Sequence, residues 1–239
     1  MLKTILVLVY AVPATGIFGS LAAVTAFFSK NGRIPHRVAI VWARSILWAS
    51  GVKVRVTGGN LLDPYKPYIL MANHQSNFDI LALFAGLPVP FRWLAKAELF
   101  KIPIFSHGMR GCGYISIDRS NRESAIQSLE EAADKIRSGV SVMIFPEGTR
   151  SMDGKLLPFK KGGFILAVKS RVPIVPVVIT GSLSIMPKKK LMIRSGEIHL
   201  NILDPMDTAS YTEAGKEELI SAVRKTIENA LERKKEEDS

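Results

Sequence analysis

The chain has 239 residues, enough for one substantial core with an appendage rather than two full domains. Its 32 lysines and arginines against 21 acids leave a charge of +11, yet there is no zinc-finger spacing, no aromatic RNA-binding motif and no basic helix over heptads, so no nucleic-acid partner is expected. A single cysteine, Cys112, excludes an internal disulfide and fits a reducing compartment, and His36, His74, His107 and His199 lack metal-ligand spacing, so no structural metal is expected.

From Leu2 to Phe28 nearly every residue is apolar or small, interrupted by Pro13, Gly16 and Gly19. At about 1.5 Å per residue a helix of this length covers a hydrocarbon core of roughly 30 Å. A second apolar stretch, Val38 to Ala49 with Trp42, Arg44 and Trp48, is too short to span, and the basic segment Lys30 to Arg37 reads as a connector between the two. Residues 1–62 hold seven basic residues and no acidic one, and basic plus apolar in one region points to an anionic membrane surface. A cleaved signal peptide, a single span and a helical hairpin in one leaflet all fit this pattern. If the segment spans, the positive charges place the rest of the chain on the cytoplasmic face of the membrane.

After Gly51 the pattern changes, which divides the chain into a membrane-associated helical segment, 1–50, and an α/β unit, 51–239. Val52 to Val56 alternates as a strand does, and further strands are predicted at Tyr68 to Ala72, Phe91 to Ala95, Tyr114 to Ile117, Val142 to Phe145, Ile174 to Ile179 and Ile198 to Leu203. Ser120 with Glu123 starts a helix that Gly139 ends, and Glu213 to Asp238 reads as a solvated amphipathic helix. Strand and helix in alternation predict an α/β fold: a mixed, mainly parallel central sheet flanked by helices.

Three loops carry the chemistry. Asn73-His74-Gln75-Ser76-Asn77-Phe78-Asp79 follows an apolar strand and begins a helix, so a bend after His74 can return its imidazole over Asp79. A carboxylate on one ring nitrogen makes histidine an oriented general base at neutral pH. The same spacing also suits a capping box with Asp79 as its acidic member, and spacing leaves both readings open. Phe145 to Ser151 follows another strand, at the sheet edge where open α/β sheets bind ligands. Gly148 permits close approach of an anion, Thr149 offers a hydroxyl and Arg150 a bidentate guanidinium. The spacing from Gly148 to Gly154, Lys155 and Leu156 rules out a P-loop. Gly113 to Arg119 ends a third strand, where Arg119 is a second candidate phosphate ligand or half of an exposed pair with Asp118. Val172 to Ile179 carries two prolines and reads as a sheet edge or bulge.

In this order, "NHQSNFD", "GYISIDR", "FPEGTRS" and "VPIVPVVI" resemble block by block the four motifs of the glycerolipid acyltransferases, most closely the 1-acylglycerol-3-phosphate acyltransferases. Ala95 to Phe100 with Pro103 is similar too, and the resemblance covers roughly residues 50–205. Tyr114 and Ile115 depart mildly from the family's usual residues ahead of Ile117, Asp118 and Arg119.

The resemblance implies that His74 deprotonates a glycerol hydroxyl while Asp79 orients it. It implies that Glu147, Gly148, Thr149 and Arg150, with Arg119, hold the phosphate of lysophosphatidate. The acyl donor would be a thioester of coenzyme A or acyl carrier protein acting as co-substrate, with no cofactor. Lys96 is added as a candidate for stabilising the oxyanion. Two rivals remain: acylation of glycerol 3-phosphate or another lysolipid, and a non-catalytic lipid-binding protein of the same fold. A serine esterase is excluded, since the chain has no Gly-x-Ser-x-Gly elbow, and Cys112 sits in no nucleophile motif.

Overall fold

Short apolar strands separated by helices return repeatedly to the same edge of a sheet, which makes their pairing parallel. The computed structural model describes residues 1–29, 32–101, 105–118 and 121–237 and carries this pattern through. Two helices, α1 (Leu2–Ala26) and α2 (Arg33–Ala49), precede β1 (Val52–Thr57), β2 (Ile69–Ala72), α3 (Phe78–Gly86) and β3 (Phe91–Lys96). There follow α4 (Phe105–Gly111), β4 (Ile115–Ile117), α5 (Arg122–Arg137), β5 (Ser141–Ile144), α6 (Gly162–Ser170) and β6 (Ile174–Thr180). The short α7 (Ser182–Ile185), β7 (Gly196–Ile202) and α8 (Lys216–Glu237) complete the order.

The seven strands form one sheet in the order β1-β7-β6-β2-β5-β3-β4. β2 pairs in parallel with β5 and β6, β3 in parallel with β5 and β4, and only the β6/β7 pair is antiparallel. The carboxyl ends of β2 to β6 therefore share one edge. Met71 is level with Ile144 of β5 and Pro176 of β6, so the loops that begin at Asn73 and Phe145 leave the sheet side by side.

Alternate residues of each strand feed two cores. Leu70, Ala72, Met143, Val175 and Val177 face α1, α2 and α3, and the same core takes in Val7, Ala43, Ile46 and Leu47 of the first two helices. Ile69, Met71, Val142, Ile144 and Val178 face α5, α6 and α8. The two leading helices thus share a core with the sheet, and Trp42 Nε1 donates to Thr15 Oγ1 at 3.1 Å between them.

Three expectations change. The predicted basic connector is shorter: α2 starts at Arg33, so Arg33 to Arg37 form its first turns. Gly32 before it has a φ of 62°, and a Cβ there would meet the Cys112 carbonyl oxygen at 2.8 Å. The proline-bearing strand β6 is not an edge, for it lies between β7 and β2. Pro176 fits because the position of its missing N–H faces the side where β7 has ended at Ile202: Leu203 N–H donates to the Pro176 carbonyl, and the chain rejoins β6 only at Met206 opposite Ile174. The last helix is not simply solvated, since Leu219, Val223, Ile227 and Leu231 bury one line in the second core.

Candidate active site

The site begins where β2 runs out. Asn73 is buried and extends the pairing with its side chain: Nδ2 donates to the Ile179 carbonyl at 2.8 Å and Oδ1 accepts the Ile179 N–H at 2.7 Å. The chain is therefore tethered to β6 at the residue before it bends at His74.

Asp79, fully buried in the first turn of α3, gathers three donors on one oxygen. Its Oδ2 accepts from His74 Nδ1 at 2.8 Å, from the Gln75 N–H at 2.7 Å and from the Ser76 N–H at 2.8 Å. The bond to the Ser76 N–H is the one a capping box asks of its acidic member, while the Asp79 N–H goes to the Ser76 backbone carbonyl, so one carboxylate oxygen meets both the ring and the start of the helix. Ser76 Oγ accepts the Phe78 N–H at 3.2 Å and donates to the Met186 carbonyl at 2.8 Å, which joins this turn to the segment after α7. The imidazole of His74 lies flat on Phe145, with ring centroids 3.8 Å apart and planes 8° apart, and Trp93 stacks behind Phe145 at 5.4 Å. Carboxylate on one side and aromatic face beneath hold the ring in one orientation.

The backbone of His74 is clamped by the neighbouring loop. Its N–H donates to Glu147 Oε1 at 2.8 Å and its carbonyl accepts the Ser151 N–H at 2.8 Å. Glu147 Oε2 accepts the Leu157 N–H at 2.9 Å. Burial pushes the Glu147 carboxyl above the ordinary glutamate range, against the downward pull of these two backbone donors. Glu147 was expected beside the bound phosphate, but the structure turns both its oxygens inward to join two loops.

Gly148, Thr149 and Arg150 do lie on the open side of the same loop, where Gly148 takes a φ of 68° to turn the chain. Sequence reasoning missed their companion, Lys188. Its Nζ donates to Thr149 Oγ1 at 3.1 Å and to the Arg150 carbonyl at 2.7 Å, and neither Lys188 nor Arg150 forms an ion pair among the described residues. The run Lys188-Lys189-Lys190 was the available signal, but nothing local ties it to a loop 38 residues earlier. Lys96 ends β3 at the same sheet edge, with Ile117 opposite it, while its side chain lies outside the described residues, as does the whole of Arg119.

An α/β sheet that carries at its carboxyl edge a histidine held by a carboxylate, beside a loop with Arg150 and Lys188, has the layout of an α/β enzyme site. Comparison with known proteins specifies the family. Residues 53–180 match the sequence profile described as Acyltransferase. The chain is 36% identical over 214 residues to a 1-acyl-sn-glycerol-3-phosphate acyltransferase of Chlamydomonas reinhardtii, a match covering 88% of this chain and 63% of the relative. It is 35% identical over 183 residues to the human 1-acyl-sn-glycerol-3-phosphate acyltransferase alpha, covering 76% and 65%. The chain thus matches somewhat under two thirds of these two relatives' length. The crystal structure of PlsC, the 1-acyl-sn-glycerophosphate (LPA) acyltransferase of Thermotoga maritima, superimposes with a TM-score of 0.81 at 28% identity, covering 98% of this chain and 95% of that one. The chain belongs to the acyltransferase family.

Proposed function

We propose that the protein transfers a fatty acyl group from a thioester of coenzyme A or acyl carrier protein to the sn-2 hydroxyl of 1-acyl-glycerol 3-phosphate, giving phosphatidic acid. The observation that carries this reading is the 2.8 Å bond between His74 Nδ1 and Asp79 Oδ2. With the carboxylate on Nδ1, the proton rests there and Nε2 presents its lone pair. Nε2 takes the proton of the acceptor hydroxyl as its oxygen attacks the thioester carbonyl. The resulting tetrahedral oxyanion collapses, the carbon–sulfur bond breaks, and Nε2 returns the proton to the departing thiolate. Asp79 stabilises the imidazolium between these steps, and a base of this kind contributes roughly 100-fold to 10,000-fold in rate.

Thr149, Arg150 and Lys188, with Arg119, hold the acceptor's phosphate in this reading, and Gly148 lets the loop approach it. That Arg150 and Lys188 form no ion pair among the described residues supports that role. Glu147 acts as a positioning residue, since it joins the backbone of His74 to Leu157. Lys96 is assigned to the oxyanion from its place at the end of β3. The membrane is the partner surface: α1 is long and apolar enough to cross one, and the basic residues beside it favour the cytoplasmic face.

The test is thiol release from a long-chain acyl-CoA, with lysophosphatidate or glycerol 3-phosphate as acceptor, in native protein and His74→Ala. Release that requires lysophosphatidate and falls by at least about 100-fold in the variant is the expected result. Release with glycerol 3-phosphate alone would change the substrate and keep the mechanism. No release from acyl-CoA or acyl carrier protein would favour a lipid-binding protein.

A further inference from the structure

The chain from 145 to 161, between β5 and α6, contains no helix or strand. Ordering so long a loop costs conformational entropy, so its backbone needs partners to keep one shape. Glu147 supplies one from inside the loop, and α8 supplies another from outside. Arg224 Nη1 donates to the Leu157 carbonyl at 2.7 Å and Nη2 to the Leu156 carbonyl at 3.1 Å. The guanidinium is fixed from two further sides, by Glu228 Oε1 at 2.7 Å and by the Phe159 ring, whose centroid lies 5.5 Å away.

The Leu156 carbonyl and the Leu157 N–H belong to one peptide unit. The cation therefore sits on the oxygen of the same planar amide whose hydrogen goes to Glu147 Oε2 at 2.9 Å. Charge on the carbonyl side draws electron density from the N–H and strengthens it as a donor. Beyond it the contacts run through a single carboxylate, because Glu147 Oε1 accepts the N–H of His74 at 2.8 Å. The other end of this line is rigid too. Val223, beside Arg224 in the chain, is fully buried with Leu219 and Ile227, so the guanidinium is mounted on a packed helix. A further tie between α8 and this segment, Lys161 with Glu217, joins two exposed side chains and adds little.

We propose that Arg224 is a positioning residue for the reaction: from α8 it fixes the 156–157 peptide, through that peptide Glu147, and through Glu147 the backbone that carries the His74 ring. The proposal rests on the acyl-transfer reading above. Arg224 acts without touching the reacting atoms. It makes α8, which reads in the sequence as a solvated helix, part of the apparatus that places the base. Only an arginine suits the position, since a lysine keeps the charge but has no planar fork for two carbonyls.

Arg224→Ala is compared with native protein in the thiol-release assay, after thermal unfolding in detergent has shown both folded at the assay temperature. Arg224→Lys stands in for it, with the same split expected, if the alanine variant does not fold. kcat should fall by about 10-fold to 100-fold while KM for lysophosphatidate stays within about twofold, because the base is displaced and the phosphate site is not. In a Glu147→Gln background the same substitution should cost about twofold or less, since the link it acts through is already broken. Unchanged kcat, a rise in KM alone, or full additivity with Glu147→Gln would each overturn the proposal. Amide hydrogen exchange gives a second readout that needs no turnover. Exchange at both Leu157 and His74 should quicken by about tenfold in the variant, while Ile179, whose N–H is held by Asn73, keeps its native rate. Faster exchange at Leu157 with His74 unchanged would make Arg224 a loop anchor only and refute the positioning role. If the native protein releases no thiol from any acyl thioester, the acyl-transfer reading fails by itself, and the His74 amide still decides whether Arg224 holds that backbone.

Discussion

The two longest helices, α1 and α8, lie on opposite faces of the sheet and use their apolar residues in opposite ways. α8 buries Leu219, Val223, Ile227 and Leu231, one residue every four, and turns charge to water on the other side. α1 is apolar all round but buries only the line Thr4, Val7, Ala14 and Ala22, and 17% of its most apolar window is covered by the protein. Leu2, Val9, Val12 and Ile17 stand exposed. The protein supplies the apolar partner of α8, whereas α1 needs a second apolar phase outside the chain. Both helices nevertheless reach the site edge through polar contacts. Thr4 Oγ1 accepts the Ile193 N–H at 3.0 Å, beside a bond from Lys3 to Ser195, in the loop that also carries Lys188. Arg224 donates to the carbonyls of Leu157 at 2.7 Å and Leu156 at 3.1 Å, in the loop that Glu147 grips.

The largest test of this contrast is to place the same charge on each helix. Ile227→Asp buries a carboxylate without a partner, and cooperative thermal unfolding in detergent should be lost, at a cost above about 3 kcal/mol. Val12→Asp, at a position 71% exposed, should leave that transition within about 0.5 kcal/mol while reducing flotation with phospholipid vesicles. Equal unfolding by both would mean that the outer face of α1 is not turned to lipid.

Docking of α1 on α4 is tested next by Gly111→Ala. The new Cβ would approach that of Ala26 to 2.1 Å, so the urea midpoint should fall by the equivalent of about 1–3 kcal/mol and recover when Ala26→Gly is added. A smaller loss, about 0.5–1.5 kcal/mol for each hydrogen bond, is expected from Arg224→Ala, with faster amide exchange around Leu157. The cation over the Phe159 ring at 5.5 Å adds to it, and the half-exposed pair with Glu228 adds little. Thr4→Val should be the mildest, about 1 kcal/mol with the helix still docked, read as local exchange at Ile193. If Thr4→Val instead matched Gly111→Ala, the foot of α1 rather than its packed line would hold the helix.

What could be read from the sequence was what depends on neighbours in the chain. Apolar runs of strand length, the helix start after Ser76 and the motif order from Asn73 to Ile179 are local patterns, and they sufficed for the sheet, for the His74/Asp79 pair and for the family. The tertiary structure decided what depends on residues far apart. Glu147 looks like a surface acid beside a phosphate loop until β2 and β5 are paired, which brings the His74 and Leu157 amides onto its two oxygens. Lys188 looks like one of three surface lysines until the turn after β6 brings it to Thr149. Pro176 argues for an edge until β7 is seen to end just where its missing N–H would point. In each case the deciding partner lies on another strand or loop. Its position follows from sheet order, which is set by packing across the whole chain rather than by any local run of residues.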